Sequence, residues 1–176
     1  MVRARIVPCL WFDSEGEEAA RFYTSIFKNS KILTSSRYTE AGQEVHLQPA
    51  GKVMTVEFEL DGQPFTALNA GPLFKFNEAI SFQVRCETQE EIDYYWEKLG
   101  AGGDPNAQQC GWLKDKFGVS WQVVPTVLAR LATDPRKAGP VMEALLKMKK
   151  LDIAELERAA DSVSAGPQRP SPASHP

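Results

Sequence analysis

The chain has 176 residues, 43% of them hydrophobic and 24% charged, which is enough for one ordinary domain or two fused half-domains with a real core. Its net charge of −3 argues against a nucleic-acid-binding protein, because such proteins usually present a basic face. No apolar run approaches the roughly 20 residues that a membrane-spanning helix needs. We therefore expect a globular protein with no nucleic-acid partner and no membrane partner.

The cysteines and the N-terminal residues indicate the cellular compartment of the protein. Cys9, Cys86 and Cys110 are odd in number and too widely spaced for a disulfide framework or a C-x-x-C metal motif. The opening MVRARIVPCLWF has neither the apolar segment nor the cleavage site of a signal peptide. We therefore expect reduced thiols and a cytoplasmic location.

The first half of the chain is expected to run strand, helix and three strands. RIVPCLWF predicts a strand, and Pro8 marks its start or a sheet edge. The helix SEGEEAARFYTSIF follows, with Ser14 as the expected N-cap and Glu17 at the capping-box position. The remaining strands are SKILTSSRY and, after the polar loop EAGQEVHLQPAG, KVMTVEFEL and QPFTALNA, the last two joined by an Asp61–Gly62 turn.

The same order of elements recurs after the linker GPLFKFNEA. AISFQVRC alternates as a strand, and TQEEIDYYWEKLG predicts a helix with Thr88 as its cap and Glu91 at the capping-box position. GGDPNAQQ then leads to a short strand, and GWLKDKFGVSWQVVP predicts a hairpin with Trp121 in the core and Asp115 at the turn. A repeated order of elements is stronger evidence than any single element, so residues 1–125 are expected to form two βαβββ modules.

The sequence changes character after Pro125. Residues 126–161 predict short amphipathic helices, a C-terminal helical extension. Leu145, Met148 and Leu156 form an apolar stripe without a partner inside the repeats, which suits docking on the sheet or on a second subunit. Residues 162–176 are rich in proline and serine and are expected to be a flexible tail.

Several of these segments together resemble a known family. PCLWF, EEAARFYTSIF, DGQPFTALNAGP and CGWLKDKFGVSWQVVP are similar to motifs of the PhnB-like proteins, often labelled as the demethylubiquinone methyltransferase family. That family belongs to the vicinal oxygen chelate superfamily, with glyoxalase I, bleomycin-resistance proteins and extradiol dioxygenases. The resemblance spans roughly residues 5–160. It implies an α+β fold in which paired βαβββ modules form a curved mixed sheet around a cleft, commonly in a homodimer.

Metal-dependent members of the superfamily hold an ion at four strand positions. The resemblance places these positions near Pro8, near Asn69, at Ser81 and at Gln122, and none of them is a histidine or a carboxylate. The composition agrees, since zinc, nickel and iron sites of this kind need imidazole and carboxylate ligands, and the chain has only two histidines. We therefore predict no metal and no other cofactor. In particular, no G-x-G motif opens a helix as a methyl-donor site of the commonest kind would require.

The alternation of side chains along each strand predicts which of them line the cleft. Polar residues share one face of each central strand and apolar rings flank them, so they either satisfy one another or orient a small polar or aromatic ligand. The candidate ligand-binding residues are Trp11, Glu57, Asn69, Phe74, Phe76, Ser81, Gln83, Trp112 and Gln122.

Three functions remain open on the sequence. The first is a metal-independent small-molecule-binding protein that works as a homodimer. The second is an enzyme of the same superfamily, an isomerase, a lyase or the methyltransferase of the family label, which uses Glu57, Gln122 or a metal carried by the substrate. The third is a protein-interaction module that uses the C-terminal helices.

Overall fold

The computed structural model describes residues 4–162, which form two compact units. The first unit contains the residues up to 80 together with 117–119, and the second contains the other described residues, including the C-terminal helices. Within residues 4–162, no helix has the length and apolarity that crossing a membrane requires. The predicted tail lies outside the described residues except for Ser162.

The first unit is a four-stranded sheet with a helix on one face. The strand order is β1-β4-β3-β2, with β1 parallel to β4 and the other pairs antiparallel. The alternation predicted for the third strand is confirmed, because Val56, Phe58 and Leu60 are buried. The elements of this unit are β1 (Cys9–Phe12), α1 (Gly16–Ile26), β2 (Lys31–Arg37), α2 (Gln43–His46), β3 (Val53–Leu60) and β4 (Gln63–Asn69).

Two segments predicted as a turn and a loop in the first unit can be compared with the structure. Asp61 and Gly62 have φ angles of 47° and 78°, as expected for a tight hairpin turn between β3 and β4. The segment predicted as a polar loop instead contains the short helix α2. A left-handed residue stands at each end of this helix, Gly42 before it and Leu47 after it. The left-handed Leu47 ends the helix after about one turn.

The prediction that Ser14 caps α1 is wrong. Glu15 occupies the N-cap position, and its carboxylate accepts a hydrogen bond from the Ser14 backbone N–H at 2.9 Å. The first helical N–H, that of Gly16, donates to Oδ1 of Asn69 at 2.7 Å. The capping group thus comes from the end of β4, 53 residues further along the chain, and replaces the local cap that the sequence suggested.

The second unit has a three-stranded sheet of order β5-β7-β6, in which β5 and β7 are parallel and β6 is antiparallel to β7. Helix α3 packs on this sheet. The predicted Thr88 cap is confirmed, because its hydroxyl accepts from the Glu91 N–H at 3.3 Å. The elements here are β5 (Phe82–Cys86), α3 (Gln89–Gly100), β6 (Trp112–Lys114) and β7 (Ser120–Pro125).

The short strand expected after α3 is reduced to a single bridge between Gln109 and Trp112. A 3₁₀ helix over Pro105–Ala107 stands before it. The Asp104 carboxylate accepts from the Asn106 N–H at 2.8 Å, and Pro105 has no N–H to give to a strand partner. The local sequence therefore favours a turn over a paired strand.

The C-terminal helices share a small hydrophobic core of their own. Met148 and Leu156, predicted to lack a partner inside the repeats, are buried together in this core, and Leu145 packs against it. The helices are α4 (Thr126–Thr133), α5 (Ala138–Leu145) and α6 (Ile153–Asp161). The core residues are Leu131, Val141, Met148, Leu151, Leu156 and Ala160.

Polar contacts attach this helical segment to the rest of the second unit. The Gln89 side chain donates to the Leu151 carbonyl at 3.1 Å and accepts from the Ile153 N–H at 2.9 Å. Lys150 pairs with Asp93 at 2.6 Å, and the hydrogen bonds from Lys150 and Gln89 lower the pKa of that carboxyl. The segment that joins α5 to α6 is thus docked against α3.

The cysteines are predicted to differ in reactivity. Burial, helped by the Glu91 carboxylate, raises the pKa of Cys86 to about 11, so only about one thiol in a thousand is ionised at pH 8. Ellman's reagent at pH 8 should therefore leave Cys86 unlabelled in the native protein and label it in guanidinium. A Cys86→Ala variant should lose one thiol from the denatured count only. A loss from the native count would contradict the prediction.

Candidate functional site

A chain of polar side chains crosses one face of the second sheet. Gln83 of β5 and Gln122 of β7 are register partners, so their side chains lie on the same face. Nε2 of Gln122 donates to Oγ of Ser81 at 2.7 Å, and Nε2 of Gln83 donates to Oε1 of Gln122 at 3.3 Å. The half-buried Gln122 is therefore held in one orientation by a donor and an acceptor.

A pocket of about 460 Å³ lies over this face of the sheet. The strands contribute amide, guanidinium and indole groups, while α4 and α5 contribute small and aliphatic side chains. A volume of this size suits a small organic molecule. The lining residues are Gln83, Arg85, Cys110, Trp112, Gln122, Val124, Pro125, Thr126, Leu128, Ala129, Ala132 and Leu145.

The structure brings four sequence-predicted residues together here. Gln83, Trp112 and Gln122 line the pocket, and Ser81 is hydrogen-bonded to Gln122. The sequence analysis expects the C-terminal helices to dock on the sheet or on a second subunit, but it does not identify α4 as the helix that lines this pocket. Strand alternation also predicts Arg85 on the same face as Ser81 and Gln83, although Arg85 is not among the candidate ligand-binding residues, and the pocket lining includes it.

The other five candidates lie in the first unit. Trp11 donates from Nε1 to the Gly71 carbonyl at 2.8 Å and meets Phe74 edge-on, with ring centroids 4.9 Å apart. Phe76 packs edge-on against Phe12 at 5.2 Å. Phe74 is 60% exposed, so it could still contact a ligand, and the role of these rings in binding stays a prediction.

The two polar candidates of the first unit have partners within the protein. Both carboxylate oxygens of Glu57 accept from the Thr66 hydroxyl at 3.0 Å. Asn69 is only 2% exposed, and besides its bond to Gly16 its Nδ2 donates to the Val53 carbonyl at 3.2 Å. The Asn69 amide therefore has a structural use, which the sequence did not indicate, and its binding role also stays a prediction.

The residues at the expected metal positions do not fit a transition metal. Ser81, Asn69 and Gln122 offer hydroxyl and amide groups, which bind zinc, nickel or iron weakly. His46 accepts at Nδ1 from the Gln48 N–H at 3.0 Å, and its ring lies 4.6 Å from that of Tyr38. In the part of the chain from 4 to 162, no cluster of three or more His, Cys, Asp or Glu side chains could hold an ion. His175 lies outside the described residues.

Comparison with known proteins shows which family this chain is similar to. The sequence profile of the 3-demethylubiquinone-9 3-methyltransferase family matches residues 4–124. The solved structure of a PhnB protein from Bacillus cereus is 38% identical and covers 70% of this chain and 100% of its own, with a TM-score of 0.59. A search of curated protein sequences finds no match.

More distant structures share the fold alone. Protein PA1353 from Pseudomonas aeruginosa is 20% identical, with a TM-score of 0.53 over 70% of this chain and 98% of its own. The fosfomycin resistance protein FosX from Mesorhizobium loti is 13% identical, with a TM-score of 0.50 over 75% of this chain and 99% of its own. The predicted α+β fold of βαβββ modules is thereby confirmed. The chain belongs to the PhnB-like 3-demethylubiquinone-9 3-methyltransferase family, within the vicinal oxygen chelate superfamily of glyoxalases and bleomycin-resistance proteins.

Proposed function

We propose that this protein binds a small organic molecule in the pocket of the second unit, without a metal ion. The observation that carries the proposal is the pocket of about 460 Å³, whose floor holds the oriented amides of Gln83 and Gln122 and whose walls are Trp112, Leu128 and Leu145. Apolar walls with a few fixed polar groups are the usual composition of small-molecule sites.

The hydrogen bonds of the amides on the pocket floor support binding without a metal. Oε1 of Gln122 already accepts from Gln83, and its Nε2 already donates to Ser81. A metal ion would have to displace these neutral partners and would gain only weak amide and hydroxyl ligands in return.

The lining also favours binding over acid–base catalysis. Among the described residues that line the pocket, none is a carboxylate or an imidazole, the groups that most often transfer protons in active sites. The methyl transfer in the family label finds no support either. The two sheets have the orders β1-β4-β3-β2 and β5-β7-β6 with antiparallel pairs, unlike a doubly wound parallel sheet.

Blocking the pocket should abolish binding. Ala129 lines the pocket, so Ala129→Trp would place an indole in it, whereas Ala154 is exposed on α6 and does not line it. The probes are benzoate, 1-naphthoate and indole-3-acetate with their three amides, titrated by calorimetry. We expect one or more probes to bind wild type and Ala154→Trp equally, and Ala129→Trp at least about tenfold more weakly, a change of about 1.4 kcal/mol.

Two results would contradict this proposal. One is that no probe binds the wild-type protein, and the other is that Ala129→Trp binds as well as Ala154→Trp. Circular dichroism spectra of both variants should match the wild type, so that a loss of binding reports the pocket and not the fold.

Homodimer formation is part of the same proposal and rests on the family resemblance. The chain has a mass of 19.6 kDa, so sedimentation equilibrium distinguishes the two states directly. A species with the mass of one chain at micromolar concentration would contradict the dimer.

A further inference from the structure

Arg85 gives the pocket a positive charge. It follows Gln83 by two residues in β5, which places both on the same face, and its register partner in β7 is Val124. Among the described residues that line the pocket, Arg85 is the only charged one. Any molecule bound there therefore meets one cation and no compensating anion from the lining.

The guanidinium of Arg85 has no partner among the described residues. Across residues 4–162, no carboxylate lies within ion-pair distance of it, and no hydrogen bond involves its side chain. Arg85 is exposed, so in the absence of a ligand its charge is balanced by solvent. A guanidinium is planar and presents paired N–H donors, which match the two oxygens of a carboxylate.

The rest of the pocket lining indicates what the remainder of an anionic ligand would be. The indole of Trp112 and the aliphatic Val124, Leu128 and Leu145 form an apolar surface around the same pocket. Such walls suit an aromatic or aliphatic body and give nothing to a second charged group. From Arg85 and these walls together, and on the basis of the proposed function, we infer that the ligand is a small organic monoanion with an aromatic or apolar body.

The matched probes test this inference directly, since each carboxylate differs from its amide mainly in charge. Wild-type protein should bind the carboxylates about tenfold more tightly than the amides. Arg85→Gln should reduce that preference to within about twofold, and Arg85→Lys should keep part of it because it keeps the charge and loses the planar pair of donors. Arg130→Gln is the control, because Arg130 is exposed on α4 but does not line the pocket.

The preference for carboxylates over their amides should also weaken as the salt concentration rises. Since Arg85 is exposed, its attraction for an anion is screened as the NaCl concentration rises from about 0.05 M to about 0.5 M. Binding of the amides should change little over the same range.

The outcomes separate this inference from the proposed function. Equal binding of carboxylates and amides, still lost in Ala129→Trp, would overturn the inference and leave the function intact. A carboxylate preference that survives in Arg85→Gln would also overturn the inference. No binding of any probe, or binding unaffected by Ala129→Trp, would overturn both.

Discussion

Replacing Asn69 by leucine is expected to lower the free energy of unfolding by about 3 kcal/mol, although leucine has nearly the same size. The side chain is buried and makes two hydrogen bonds, from the Gly16 N–H and to the Val53 carbonyl. Leucine leaves the buried Gly16 N–H without a partner and removes the partly buried bond to the Val53 carbonyl. The Asn69 amide lies close against the start of α1, because a Cβ added at Gly16 would lie 2.7 Å from its Oδ1.

Guanidinium denaturation followed by circular dichroism measures this effect. The control is Asn106→Leu, the same substitution at an exposed position in the 3₁₀ helix, which should change stability by no more than about 0.5 kcal/mol. If Asn69→Leu is as stable as Asn106→Leu, the Asn69 amide does not hold the start of α1.

Gly111→Ala is expected to cost about 3 kcal/mol, through backbone strain and steric overlap together. Gly111 has a φ angle of 83°, and an added Cβ would lie 3.0 Å from both the Val123 carbonyl oxygen and Cδ1 of Leu151. The Gly111 N–H also donates to the Lys149 carbonyl at 2.8 Å. A side chain here would push the docked segment away from the hairpin.

Gly118→Ala is the matched control for the strain alone. Gly118 has a φ angle of 86°, but nothing lies within 4 Å of an added Cβ. Its cost should be about 1 kcal/mol, the penalty of the left-handed conformation. Limited proteolysis should cut residues 146–152 faster in Gly111→Ala than in Gly118→Ala. Equal stabilities for the two variants would show that the contact with Leu151 is unimportant.

The sequence predicted those parts of the fold that depend on local periodicity. Alternation in the strands placed Val56 and Phe58 in the core and Gln83 and Gln122 on one polar face, and both placements are confirmed. A period of two residues follows from the backbone alone, so it can be read without knowing what packs against the strand.

The contacts that the sequence does not indicate are those that depend on tertiary packing. Asp115 lies in the predicted turn between β6 and β7, but it is only 3% exposed and its carboxylate accepts from Nε1 of Trp121 at 2.8 Å. The bonds of the Asn69 amide to Gly16 and Val53 depend on how the sheet and α1 pack, so the sequence does not indicate them, and the role of Asn69 in the cleft stays a prediction. The sequence allows the C-terminal helices to dock on the sheet, but it does not identify α4 as the helix that lines the pocket.

The most direct test of the central claim is calorimetric titration of the carboxylate probes into protein dialysed against EDTA. Metal-independent binding in the pocket predicts one site per chain in wild type, with an affinity unchanged by the chelator and weakened at least about tenfold by Ala129→Trp. Binding that disappears in EDTA and returns when zinc or manganese is added would contradict the account.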